Sequence, residues 1–203
     1  MIKKDELGLQ DYFYIGYLYL IILGIVSDAI FYGIFGVSYL NYTTILDALI
    51  SPISLLTDSW ILTVSLLLMF WLMYLYATKA MPWIYSKLRV KKWYQKRYDI
   101  EKWDKIHSRE NRKKNLLPGL LFIFFLLFIS MRTGLGIGMK YKYNNKEIIP
   151  NYTLIFKDNT RLDVRKVGQN SAYFFYFIPE ETEITATPIT DNLKQIKRLK
   201  VKK

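Results

Sequence analysis

Nineteen consecutive residues, Trp60 to Thr78 (WILTVSLLLMFWLMYLYAT), carry no charged side chain. A helix needs about 20 apolar residues to cross a hydrocarbon core of roughly 30 Å, and this block meets that length. Two more blocks flank it. Tyr12 to about Leu40 is interrupted only by Asp28, and Leu116 to Met131 continues through Arg132 and a glycine-rich stretch to Met139. A soluble domain would scatter its apolar residues at helix or strand periods instead of gathering them in long runs. Seventeen Tyr and twelve Phe also suit wide membrane–water interfaces, where amphipathic rings settle. The first block follows Lys3 and Lys4 but is longer than a secretory signal's apolar region of roughly 7–15 residues, and no small-x-small cleavage site follows it. It reads as a retained signal anchor.

Orientation follows from the connections. Residues 79–115 hold thirteen Lys or Arg against four acidic residues, and residues 37–59 hold no Lys or Arg. Positive loops stay inside, so 79–115 is expected in the cytoplasm and 37–59 outside. Thirteen further basic residues follow from Lys140 onward, but long domains translocate largely regardless of charge. The expected order is a cytoplasmic 1–11, a span at 12–40, an outer interfacial or re-entrant segment at 41–59, and a span at 60–78. A basic amphipathic cytoplasmic loop at 79–115, a span at 116–139 with a Gly-rich end, and an extracytoplasmic β-domain at 140–203 with a basic tail complete it. The Lys, Ile, Asn and Tyr bias looks like that of an AT-rich bacterial genome, and a bacterial inner membrane is the expected location.

Past Lys140 the pattern changes to short alternating runs. YTLIFK (152–157), RLDVRKV (161–167), AYFFYFI (172–178) and TEITAT (182–187) read as strands, with turns at Asp158-Asn159 and Gly168–Ser171. The final LKQIKRLKVKK is expected to begin as a short helix with Leu193, Ile196 and Leu199 inward. The fold class is therefore an integral membrane α-helical protein with three spans plus a small all-β C-terminal domain, either an SH3/Sm-like barrel or a curled antiparallel sheet.

Ionisable groups inside spans are functional candidates because an unpaired charge there is costly. Asp28 lies sixteen residues after Tyr12 and Arg132 sixteen after Leu116. At 1.5 Å per residue both sit roughly 24 Å up their helices, which suggests an intramembrane ion pair between the first and third spans. A conducting path lined by Asp28, Asp47 and Asp58 is a sharper alternative. Gly134, Gly136 and Gly138 suggest a hinge or a packing surface. In the basic loop, Trp83, Lys91, Lys92, Trp93, Arg97 and Trp103 are candidate lipid-surface contacts, with rings buried and cations near anionic inner-leaflet headgroups. Basic and aromatic residues together also suit single-stranded nucleic acid, but between two spans a lipid surface is the commoner partner.

No Cys occurs, and His107 is the one histidine. Thiolate metal sites, Cys nucleophiles and a zinc set have no residues to rest on, and no cofactor is expected. The leading functional expectation is a non-enzymatic membrane protein that acts as an assembly or docking component, through its β-domain and basic loop, for a homo-oligomer or protein partner. An oligomeric channel, pore or membrane-perturbing effector is the second. A cytoplasmic-side sensor of anionic lipid, nucleotide or RNA is the third.

Overall fold

The computed structural model describes residues 8–58, 60–179, 181 and 183–199. Among these, three helical stretches are long and apolar enough to cross a membrane: Leu9–Gly33, Trp60–Arg89 and Leu116–Asn144. Many of their large side chains face outward. Phe13 and Tyr14 on the first are 71% and 74% exposed, and Trp60 on the second is 74% exposed. Apolar surface on this scale marks an interaction with a membrane or another protein. Two compact units divide at Leu55/Leu56 and at Phe128/Ile129.

The first unit begins with α1 (Leu9–Gly33), 25 residues or about 37 Å long. It stops well before Leu40, where the apolar run ends. Gly36 takes a positive φ of 81°, Val37 N–H donates to Tyr32 C=O at 3.1 Å and Gly36 N–H to Gly33 C=O at 3.0 Å. That pairing is a Schellman cap, and a glycine in the left-handed region lets the chain turn away at little cost. A 3₁₀ turn at Tyr39–Tyr42 leads into α2 (Ile45–Asp58). Thr44 and Asp47 cap α2 reciprocally: Asp47 N–H donates to the Thr44 hydroxyl at 3.2 Å, and Thr44 N–H to the Asp47 carboxylate at 3.0 Å. Pro52 lies inside α2 and has no N–H for the carbonyl of Ala48.

Helix α7 (Arg109–Asn144) runs unbroken through Gly134, Gly136 and Gly138, so the expected hinge there is not formed. Gly136 instead serves packing. A Cβ there would meet Ile34 at 2.7 Å and Phe31 at 3.2 Å, whereas Gly134 and Gly138 have open space. A second Schellman cap closes α7, with Glu147 N–H donating to Lys142 C=O at 2.9 Å and Lys146 in the left-handed region at φ 57°.

Five antiparallel strands follow: β1 (Tyr152–Phe156), β2 (Arg161–Gln169), β3 (Tyr173–Phe177), β4 (Ile184–Pro188) and β5 (Leu193–Arg198), in the order β4-β3-β2-β1-β5. The sheet is not closed, so a full barrel is excluded and β4 and β5 are its edges. Asn159, at φ 68°, makes the β1–β2 turn. The fourth strand's expected start at residue 182 lies outside the described residues. Two sequence expectations are corrected. Residues 193–198 form a strand rather than a helix, because β1 offers them a ladder from Tyr152↔Arg198 to Phe156↔Leu193. Gly168 is not in a turn but continues β2 past a register shift, where a Cβ would lie 2.0 Å from the Tyr32 hydroxyl. A one-turn helix, α8 (Ile189–Asn192), joins β4 to β5.

Alternation on β3 separates two cores. Phe175 and Phe177 join Phe31, Tyr32, Tyr39 and Val167, so one face of the sheet sits on the end of α1. Phe174 and Tyr176 face the other way, onto Leu154, Val164 and Leu193.

The second unit contains α3 (Trp60–Leu75), a π-helical turn at Tyr76–Ala80 and α4 (Met81–Arg89) in one helical stretch. The expected loop 79–115 is largely helical. After α4 come α5 (Lys92–Arg97), α6 (Ile100–His107) and the start of α7.

Candidate functional site

The buried face of α1 is built at helical spacing from Gly24, Ser27, Asp28, Phe31 and Tyr32. Asp28 is 1% exposed, and Arg132 Nη2 lies 2.9 Å from its Oδ1. The guanidinium carbon also sits 3.8 Å from the centroid of the Phe31 ring, a cation–π contact. Arg132 Nε is buried with no hydrogen-bond partner among the described residues. The next turns of α7 continue the same stripe. Gly136 admits Phe31 and Ile34, and Lys140 Nζ donates to the carbonyl of Ile34 at 2.5 Å, where a cation offsets the helix's negative end. Partners advance together along both helices, from 28 with 132 to 34 with 140, so α1 and this part of α7 run parallel.

Beyond the pair lies an aromatic seat for the sheet. Tyr32 and Tyr39 stack at 4.3 Å with ring planes 1° apart, and Phe175 lies 4.8 Å from Tyr32. Tyr143 of α7 stacks on Phe177 at 3.9 Å.

Asp47 has a second role that sequence reasoning missed. Besides capping α2, its carboxylate accepts from the Ser171 N–H at 3.0 Å and the Ser171 hydroxyl at 3.1 Å. Asn170 Nδ2 donates to Tyr42 C=O at 2.7 Å. The β2–β3 turn is thereby tied to the start of α2. Burial alone would raise the Asp47 carboxyl, but the donors from Thr44 and Ser171 hold it below its ordinary 3.8. Thr44-x-x-Asp47 is legible as a capping signature; its tie to Ser171, 124 residues away, is not.

Of the aspartates considered for a conducting path, Asp28 is neutralised by Arg132 and Asp47 is capped by amides and hydroxyls. The side chain of Asp58 lies outside the described residues. Close packing of α1 on α2 depends on Gly24, where a Cβ would fall 1.8 Å from the Ala48 carbonyl oxygen.

In the second unit the candidate lipid contacts lie on α4 (Trp83), α5 (Lys92, Trp93, Arg97) and α6 (Trp103), with Lys91 just before α5. Tyr94 is buried between Tyr85 and Tyr98, with Trp93 edge-on to it at 5.6 Å. Arg89 pairs with Asp104 at 2.7 Å, and the Tyr85 hydroxyl donates to Asp104 Oδ1 at 2.7 Å. Trp83 and Trp93 are 59% and 55% exposed, and Lys91, Lys92 and Arg97 are exposed. Trp103 turns inward to the edge of Tyr98 and is only half-buried. The side chain of His107 lies outside the described residues. Among those described, no group of three or more His, Cys, Asp or Glu could hold a metal ion.

Comparison with models of known protein families, with curated proteins and with solved structures finds no match to this chain. What fold and site define is a class by architecture: three long apolar helices with a small open antiparallel sheet seated on two of them.

Proposed function

We propose that the chain is a three-span bacterial inner-membrane protein that serves as a non-enzymatic assembly or docking component. Spans near residues 12–40, 60–78 and 116–139 carry it through the bilayer. The β-domain stands outside the cytoplasm, and the basic segment 79–115 rests on anionic headgroups of the inner leaflet. The sheet is an open relative of the SH3/Sm type. One observation carries the reading: the sheet is seated on α1 and α7 through an aromatic core, yet among the described residues neither of its edges has a strand beside it. A rigidly mounted sheet with free edges is built to present a surface, and free edges are what β-addition uses. Parallel α1 and α7 support the topology, since their C-terminal ends then share the outer side.

Two measurements test it. Ser108→Cys and Thr160→Cys on this cysteine-free background are probed on intact cells with a membrane-impermeant thiol reagent; the proposal expects labelling at 160 and protection at 108. Labelling at 108 alone overturns the orientation. The full chain, extracted with its lipids in a polymer nanodisc, is expected to migrate as an assembly larger than one copy. A monomer with no associated protein overturns the docking role.

A further inference from the structure

The open sheet leaves two edges whose free backbone groups can be assigned. In an antiparallel pair, residues that exchange hydrogen bonds alternate with residues whose N–H and C=O point away. Ile189 N–H donates to Ala172 C=O at 2.8 Å, one step past the Tyr173↔Pro188 pair. Counting back in twos, Thr187 and Thr185 bond to β3, and Ile184 and Ala186 turn their N–H and C=O outward. At the other edge, Leu199 N–H donates to Asn151 C=O at 2.9 Å, one step past Tyr152↔Arg198. Lys197 and Gln195 therefore bond to β1, and Ile196 and Arg198 point outward. Among the described residues, none of these four outward residues has a strand beside it.

The β4 edge is also the floor of a groove of ≈ 520 Å³, where Ile184 and Ala186 face Val37, Ser38 and Asn41. The edges differ in charge. Glu181 and Glu183 are exposed just before β4, whereas Lys194, Lys197 and Arg198 are exposed on β5.

We propose that β5 of a second copy of this chain enters the β4 groove and pairs with β4 in parallel. This deepens the docking reading above by naming its partner. The direction follows from the faces. Ile184 and Ala186 carry side chains on the helix-facing side of the sheet, and Ile196 carries its side chain on the opposite side. Antiparallel pairing would oppose outward residues directly and set the two faces against each other. Parallel pairing places an outward residue opposite one whose groups point away, so Ile184 faces the second copy's Gln195 and Ala186 its Lys197. All four outward residues then find partners. Glu183 meets Lys194 of the second copy, Thr185 meets its Ile196, and the polar side chains of Gln195 and Lys197 lie along Ser38 and Asn41. The contact joins two different patches, so it propagates from copy to copy until a ring closes.

The test uses full-length protein in membranes. Glu183→Cys and Lys194→Cys variants with different tags are expressed together and separately, then oxidised. A disulfide-linked dimer that carries both tags, absent when either variant is expressed alone, is the expected result. Ala186→Pro removes one outward donor without removing a bond to β3, and is expected to abolish the dimer while circular dichroism shows the sheet intact. Dimers of a single variant overturn the proposal in favour of like-with-like edges. No dimer in a sample that still migrates as a larger assembly overturns the β4–β5 contact and leaves the docking reading standing. No dimer in a monomeric sample removes both, and leaves the lysines of β5 as guards against pairing.

Discussion

Gly16 and Gly24 both lie inside α1, and replacing either with alanine adds one methyl group. By helix propensity alone each change would stabilise by about 0.8–1 kcal/mol. Nothing lies within 4 Å of the added carbon at Gly16, so the gain stands there. At Gly24 the carbon would sit 1.8 Å from the oxygen and 2.7 Å from the carbonyl carbon of Ala48. Since contacts of this kind essentially never fall below 3.0 Å, the backbone must retreat by at least 3.0 − 1.8 = 1.2 Å. A peptide carbonyl cannot swing aside like a side chain, so the whole turn of α2 has to move. Overpacking of this order costs about 1–3 kcal/mol. Gly16→Ala is therefore expected to stabilise and Gly24→Ala to forfeit that gain or more, with a gap of about 1–3 kcal/mol between them. Denaturation of the reconstituted full chain, followed by circular dichroism, measures the gap. Tryptophan fluorescence would miss it, because all five tryptophans lie between Trp60 and Trp103. Equal midpoints for the two variants would refute the packing argument.

Three further outcomes follow from the geometry. Asp28→Ala strands a guanidinium that is only 12% exposed, and is expected to cost about 3–5 kcal/mol; the double variant Asp28→Ala/Arg132→Ala should lose less than Asp28→Ala alone in the same denaturation assay. Because the Asp47 carboxyl is held below its ordinary 3.8, its contribution is full above that value and is lost as pH falls through the lower folded-state value; amide exchange at Ser171 should accelerate in that acidic window, and Asp47→Asn should remove the pH dependence. Lys146→Gly relieves a side chain in the left-handed region and should stabilise the end of α7 by about 1 kcal/mol, read as slower exchange of the Glu147 amide.

Long-range order was legible wherever charge or turn chemistry left a mark. Asp28 and Arg132 interrupt otherwise uncharged runs at equal depth, and that coincidence of position and sign could be seen without coordinates. Asp158-Asn159 carries a turn in its own side chains. The failures share one cause: local pattern names a face but not its partner. LKQIKR spaces Leu193 and Ile196 as a helix would, and only the free edge of β1 makes it a strand. The apolar run to Leu40 gives no hint of where α1 ends, because hydrophobicity continues past a stop set by the backbone of Gly36. Three glycines after Arg132 looked equivalent, yet only Gly136 faces Phe31 and Ile34. In residues 79–115 the charge count obscured a small aromatic core around Tyr94 and an acidic partner, Asp104, that draws Arg89 inward.

The Asp28–Arg132 pair also sets a timetable. The two residues are 104 positions apart. At a synthesis rate of about 5–20 residues per second, the arginine is added roughly 5–20 s after the aspartate. For a chain that enters the bilayer as it is made, the first helix must wait through that interval with an unmatched acid on its buried face. In such a chain the ion pair that joins α1 to α7 closes only after everything between them has been made, the whole second unit included.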